Sequence, residues 1–490
     1  MGLNSLDIAV IAAYLAGVTF FGLRFGSRQR TVKEYFLAGN SAPWWAISLS
    51  IVAAETSTLT IISVPGLAYE SDFGFLQLVI GYLIGRVIVS FLLIPQYFRG
   101  ELVTAYQLIE RRFGQRLRSL TAGLFLITRA AAEGVRVFAV AIVIRVALGA
   151  AFSGLSTLGR DVAAIAVVMF LTLAYTFKGG MAAVIWTDVV QLAIYIAGTL
   201  IGVFTILHFV PGGWSAVRSV AGDAGKFRVF DLSLNFSSTY TLWSGVIGGA
   251  FLTTASHGTD QLIVQRLLSA RNELQSKVAM VLSGIAVFFQ FSLFLLAGAM
   301  LFVFYKLFPP ATAFARADAI FPAFIVNRMP HGISGLLIAA ILAAAMSNLS
   351  AALSSLSSTT VIDFYARLRP QSTEERRVHL SRWATVGWGL ALFALALLAR
   401  RGGAVLEMGL SIASVAYGSL LGVFLLGVLT RKATENGAMA GMLFGFALNV
   451  FLWRFTSVPF TWWVAFGSLA TFLVGLIVSC MMPERKPLQG

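Results

Sequence analysis

Long runs of apolar residues, each ended by a short polar connection, recur from one end of the chain to the other. They fall at about 6–26, 43–68, 75–97, 118–149, 161–177, 181–208, 241–267, 275–306, 332–366, 380–399, 404–430, 435–453 and 461–482. A helix needs about 20 predominantly apolar residues to cross a hydrocarbon core of roughly 30 Å, and only helices or closed barrels satisfy their backbone there. The pattern therefore predicts an all-α polytopic membrane protein with about thirteen transmembrane helices. The longest polar connections, 209–240, 307–331 and 367–379, are not low-complexity linkers. Residues 1–490 read as a single membrane domain.

Two runs are unsuited to straight helices. The run 43–68 holds Ala-Ala-Glu-Thr-Ser-Thr at mid-depth and then Pro65-Gly66; the run 241–267 holds Gly248-Gly249 and then Thr-Thr-Ala-Ser-His-Gly-Thr-Asp. Counted from 43, these are the first and sixth of ten helices. Matching interruptions five helices apart point to an inverted-repeat transporter with its site at the breaks.

Composition agrees with a bilayer. The chain is 58% hydrophobic and only 12% charged, with a mean hydropathy of +0.84. Its net charge of +15 raises nucleic acid as a partner, but the basic residues sit in short connections between runs, as the positive-inside rule describes. With the N-terminus outside, Arg24 to Lys33, Arg99 to Arg118, Lys178, Arg266 to Lys277, Arg367 to Arg382, Arg431, Lys432, Arg485 and Lys486 fall inside. These are roughly 22 of the 36 Lys and Arg. The expectation is a cell-membrane protein with its N-terminus outside and its C-terminus cytoplasmic, bound to lipid and not to nucleic acid, and monomeric. The first run lacks a basic n-region and a small-residue cleavage site, so it reads as a retained helix. Cys480, the one cysteine, excludes an internal disulfide and a cysteine-cluster metal site.

Chemistry enters where charge is expensive. Asp188 lies two turns into an apolar run, in Tyr-Thr-Phe-Lys-Gly-Gly-Met-Ala-Ala-Val-Ile-Trp-Thr-Asp-Val-Val-Gln from Tyr175 to Gln191, and an ionisable residue there is a functional candidate by default. Arg129, Glu133 and Arg136 stand at i, i+4 and i+7, one stripe of a helix. Either an arginine is free to fork onto a carboxylate, or Glu133 pairs with one or both arginines in a structural network.

This segment, with Glu34-Tyr-Phe-Leu-Ala-Gly-Asn, Pro43-Trp-Trp-Ala, Thr104 to Gly114, Thr259-Asp-Gln, Val264-Gln-Arg and Ala343 to Tyr365, resembles the sodium/solute symporter family. That family includes sodium-coupled sugar, proline, sialic acid, iodide and monocarboxylate transporters. The resemblance runs from near residue 1 to about 435 and implies the LeuT-type fold: a peripheral helix (6–26), two inverted five-helix repeats (43–208 and 241–430) and two further helices (435–482).

It further implies a sodium ion held by the carbonyls of Ala53, Thr56 and Ala344 and the side-chain oxygens of Ser347 and Asn348. Oxygen ligands suit a hard cation, and unwound carbonyls supply them without a fixed charge. Ala344, Ser347 and Asn348 share one helix face. Small polar residues at this spacing also simply permit close packing. Where the family usually has Ser or Thr, this chain has Asn348, whose NH2 needs another partner. Asp188 and Ser350 are candidates for a second sodium or for the ion path. Ala351 stands where two-sodium members carry a hydroxyl, so one sodium is expected.

For the solute, the resemblance places Glu55, Ser57, Thr60, Gln77, Arg129, Arg136, Ser256, His257 and Gln290 near the substrate. An arginine of the helix carrying Arg129 and Arg136 binds the substrate carboxylate in the sialic acid branch. Glu55 has three open roles: attracting sodium, pairing with an arginine such as Arg86 or Arg129, or taking up a proton when unpartnered. His257 is either a donor to a solute oxygen or a satisfied packing residue. Leu59 and Thr60 replace the acid and amide of bacterial sugar members, and Gln290 stands near their lysine, which argues against a hexose.

No nucleophile elbow, P-loop or His/Cys cluster is present, so neither an enzyme nor an ATP-driven pump is expected. The expectation is a sodium-coupled symporter of a small polar solute, foremost an organic carboxylate, with no cofactor beyond the coupling Na+. A neutral sugar, polyol or amino-acid symporter and a sensor without net transport are the competing readings.

Overall fold

The structure, a computed structural model, describes residues 3–25, 32–100, 102–147, 154–310, 313–314, 316–400 and 405–482. The side chains of Arg24 to Lys33, that of Lys178, and the Arg485-Lys486 tail lie outside the described residues. Among the described residues the regular elements are helices, with one isolated bridge between Ala42 and Ala270.

The principal helices are α1 (Ser5–Phe25), α2 (Trp44–Glu55), α3 (Thr58–Glu70), α4 (Phe75–Phe98), α5 (Gln115–Ala147), α6 (Thr157–Phe209), α7 (Gly249–Gly258), α8 (Gln261–Leu268), α9 (Glu273–Leu307), α10 (Ile333–Ser358), α11 (Glu374–Ala399), α12 (Val405–Leu429), α13 (Glu435–Phe455) and α14 (Phe460–Met481). Among the described residues, eight helical spans are long and apolar enough to cross a membrane, or nine when α2 and α3 count as one bent span. The remaining expected spans are carried by α1, charged α5, the first half of α6, and the interrupted pair α7 and α8.

The first expected break is present. Helix α2 ends at Glu55, Thr56 and Ser57 leave helical geometry, and α3 departs at 60°. The second sits later than the glycine pair suggests. A π-turn at Ser244–Gly248 runs into α7, and the chain becomes extended at Asp260, whose carboxylate caps α8 by accepting from Leu262 N at 2.9 Å. Gly248 and Gly249 serve close approach instead. A Cβ on Gly248 would lie 2.1 Å from Thr461 O, and one on Gly249 2.4 Å from Leu78 O.

Runs 161–177 and 181–208 fall in the single 53-residue helical element α6. At 1.5 Å per residue that is about 80 Å of helix, more than twice a bilayer core. Its start is tied to the end of α5 by Arg145 and Asp161, 3.1 Å apart. Its end meets Phe304 near the end of α9 through Phe209. Helix α6 thus holds two spans' worth of residues, and Met181–Phe209 qualifies as a span by itself.

Whereas α11 buries only a few of its residues, helix α10 is buried along almost its whole length. Its Ala- and Ser-rich sequence presents little side chain, so α6 and the breaks pack closely against it.

Candidate transport site

The break in the first helix leaves Glu55 at the end of α2, half-buried, facing Arg86 of α4. The Arg86 guanidinium is fully buried and forms an ion pair with Glu55. It also reaches Ser283 at 3.2 Å and His257 Nε2 at 3.2 Å. His257 lies 3.7 Å from the Glu55 carboxylate and 2.9 Å from Ser256 Oγ through Nδ1. Of the arginines proposed for Glu55, the partner is Arg86.

Arg129 and Arg136 of α5 both bond Glu133, Arg136 at 2.5 Å. Arg129 also pairs with Asp260 at the second break, 3.1 Å away, and Tyr417 of α12 donates to the same Asp260 oxygen at 2.6 Å. Burying a guanidinium is tolerable only with such partners. Arg136 differs: its side chain is 29% exposed, and only Nη1 is engaged. The rest of its fork is available to an incoming oxygen pair.

These groups border one cavity of about 110 Å³, lined by Glu55, Ser57, Thr60, Arg129, Arg136, Ser256 and His257 of the expected residues. Tyr82, Asp260 and Tyr417 line it too and were not anticipated. Asp260 was legible as a carboxylate at the end of an apolar stretch; the tyrosines carry no such mark.

Two expected solute residues lie elsewhere. Gln77 is fully buried, donating to Gly74 O and Tyr240 O, both at 3.2 Å, and accepting from Asp231 N at 3.0 Å. It ties the 209–240 connection to α4, spends both amide hydrogens there and does not line the cavity. Gln290 reaches Thr56 Oγ1 at the first break and borders a separate apolar groove between α2, α6 and α9.

The expected ion residues converge on the other side of the break. Ser347 and Ser50 both donate to the Asp188 carboxylate, which also takes Arg266 Nη2 at 3.0 Å. Asn348 Nδ2 bonds Ala53 O at 3.3 Å and Ala344 O at 3.2 Å. Thr56 spends its hydroxyl on Val52 O at 2.7 Å. Ser350 is buried with an unpartnered hydroxyl. Arg266, assigned from sequence to an inside connection, is wholly buried against Asp188, and Arg118 likewise pairs with buried Asp363. Neither is a free loop cation, because each balances a carboxylate on a distant helix.

A bundle of membrane-spanning helices, broken where backbone carbonyls, hydroxyls and paired charges gather beside a cavity, defines a secondary transporter. The chain belongs to the sodium:solute symporter family, whose model matches residues 35–445. It is similar to the sodium/sialic acid symporter SiaT of Proteus mirabilis (strain HI4320), at 28% identity covering 99% of this chain and 96% of the relative. Sodium-coupled monocarboxylate transporter 1 of Mus musculus is 27% identical over 91% of this chain and 72% of its own length. A solved structure of a Na+-coupled sialic acid symporter in a substrate-bound outward-open state superposes with a TM-score of 0.86 at 28% identity, over 99% of this chain and 100% of that one. Mhp1, a nucleobase-cation-symport-1 transporter, shares the fold alone, at a TM-score of 0.59 and 14% identity over 92% of this chain and 96% of that one. The fold is LeuT-like, and the protein is a multi-pass, sodium-coupled symporter and not an enzyme.

Proposed function

We propose that the chain takes up a small organic carboxylate together with one sodium ion by alternating access between two inverted repeats, 43–208 and 241–430. The observation that carries the reading is Arg136: a partly exposed guanidinium on the cavity wall with one nitrogen engaged and a fork to offer. Among the relatives, sialic acid and monocarboxylate transporters point to the same chemistry. Ser57, Thr60, Ser256 and His257 supply hydrogen-bonding groups around that fork.

Sodium is assigned to Ala53, Thr56, Ala344, Ser347 and Asn348, with Asp188 and Ser350 on the ion path. The assignment rests on their convergence beside the first break. One ion crossing 100 mV supplies about 2.3 kcal/mol from voltage alone. The expected setting is the cell membrane, N-terminus outside and C-terminus cytoplasmic.

A second reading, a neutral polar solute, is favoured by the charge balance: Arg86 faces Glu55, and Arg129 with Arg136 face Glu133 with Asp260. Uptake of a panel of carboxylates, sugars and amino acids into proteoliposomes under a sodium gradient decides. Sodium-driven accumulation of carboxylates supports the proposal; accumulation of neutral solutes only sinks its substrate, and uptake indifferent to sodium sinks its coupling.

A further inference from the structure

We infer that the Asn348 carboxamide stands in for the sodium ion when the site is empty and turns over to admit it. The inference rests on the ion site proposed above and concerns what this chain's own residue does there.

Two of the carbonyls assigned to sodium, Ala53 O and Ala344 O, come from different helices and converge on a single atom, Asn348 Nδ2, at 3.3 and 3.2 Å. Two carbonyl oxygens held face to face repel unless something positive lies between them. An amide nitrogen carries two hydrogens and offers no acceptor, so it bridges the pair as a cation does. The other end of the amide is the complement: Asn348 Oδ1 is buried and has no hydrogen-bond partner. A buried acceptor left unpaired costs about 1–3 kcal/mol, and it is the atom that a sodium ion recruits.

One rotation exchanges the two roles. The χ2 torsion of asparagine is broad and roughly two-fold, so a half-turn withdraws Nδ2 and brings Oδ1 onto the ion. Room lies alongside: Asn348 borders a small cavity that it shares with Ser57, Glu133 and Arg136, and Ser57 and Arg136 also line the solute cavity. The side chain that yields to the ion thus borders the same space as two residues of the solute cavity. A serine here has one hydrogen and cannot bridge both carbonyls.

The test is thermal unfolding of the purified full chain against sodium at constant ionic strength, with choline as the replacement, for the wild type, Asn348→Ser and Asn348→Ala. Without sodium both variants melt below the wild type, because the bridge is gone. In saturating sodium Asn348→Ser regains the wild-type melting temperature and Asn348→Ala does not. Half-saturation for Asn348→Ser falls about tenfold, or about 1.4 kcal/mol, since the ion no longer displaces an amide. If Asn348→Ser leaves both the sodium-free melting temperature and the half-saturation unchanged while the wild type responds to sodium, the stand-in is wrong and the ion site survives. Stabilisation by sodium only after Asn348→Ser makes the amide a fixed plug, which also overturns the turnover. No sodium response in any of the three overturns the ion site together with this inference.

Discussion

Arg266 and Asp188, 78 positions apart, meet 3.0 Å from each other with side chains 0% and 2% exposed. Ser50 donates to the same carboxylate and also accepts from Arg266 Nε at 2.8 Å, closing a ring between α2, α6 and α8. Removing one member leaves an uncompensated buried charge, which costs about 3–5 kcal/mol. Arg266→Gln should therefore lower the melting temperature sharply, and Arg266→Gln with Asp188→Asn should recover part of it. Additive losses in that double variant would mean the two charges are not coupled.

Asp188→Asn should separate the ion from the solute. Ser347 donates to Asp188 and is itself an assigned sodium ligand, so loss of the charge disturbs the ion path directly and reaches the solute cavity only indirectly. The sodium concentration for half-maximal uptake should rise several-fold while solute affinity at saturating sodium changes less than about twofold. An unchanged sodium activation curve removes Asp188 from the ion path.

Glu55 is held by Arg86 and flanked by His257, an arrangement that favours pairing at the break over proton carriage. Solute uptake should proceed without acidifying a liposome lumen that carries an entrapped pH dye. Glu55→Gln leaves buried Arg86 without its carboxylate and should lower stability by about 3–5 kcal/mol, which Arg86→Gln in the same chain partly restores. Lumen acidification that Glu55→Gln abolishes would restore the proton-coupled reading.

What the sequence made legible was local. Apolar run length marks spans, and the four polar residues from Glu55 to Thr58 mark a helix that cannot stay wound. Seven of the nine residues expected at the solute line one cavity. What stayed hidden is pairing at a distance. Arg266 at the edge of an apolar run reads as a loop cation, and nothing within a window of that run reports an aspartate 78 positions earlier. Gln77 reads as a polar residue in a span, yet its partners are Tyr240 and Asp231 on a distant connection. Gly248-Gly249 reads as a break, because periodicity cannot distinguish a glycine that bends a helix from one that lets Thr461 approach.

Close backbone approach can be tested at Gly298 of α9. A Cβ there would lie 2.2 Å from Pro65 O and 2.8 Å from Pro65 C and Cα. These are backbone atoms of the second half of the broken helix and cannot swing aside. Gly298→Ala should cost about 1–3 kcal/mol, seen as a lower melting temperature and a smaller monodisperse fraction. Gly387→Ala, with nothing within 4 Å of its Cβ, is the control and should lower neither.

Arg129 and Arg136 share Glu133 yet should fail in different ways when replaced. Arg129 is 6% exposed and also holds Asp260, so Arg129→Gln strips two buried carboxylates of a partner and should lower stability whatever the solute. Arg136 is 29% exposed with one nitrogen engaged, and Glu133 keeps Arg129 when it is lost. Arg136→Gln should lower the melting temperature less than Arg129→Gln does, because buried Glu133 keeps its ion pair with Arg129. It should raise the KM for a carboxylate solute by roughly 10–200-fold, about 1.5–3 kcal/mol for a hydrogen bond to a charged group. The decisive comparison is with an uncharged analogue of the same solute, such as its amide. If Arg136→Gln weakens acid and amide equally, the guanidinium does not read the carboxylate and the neutral-solute reading takes its place.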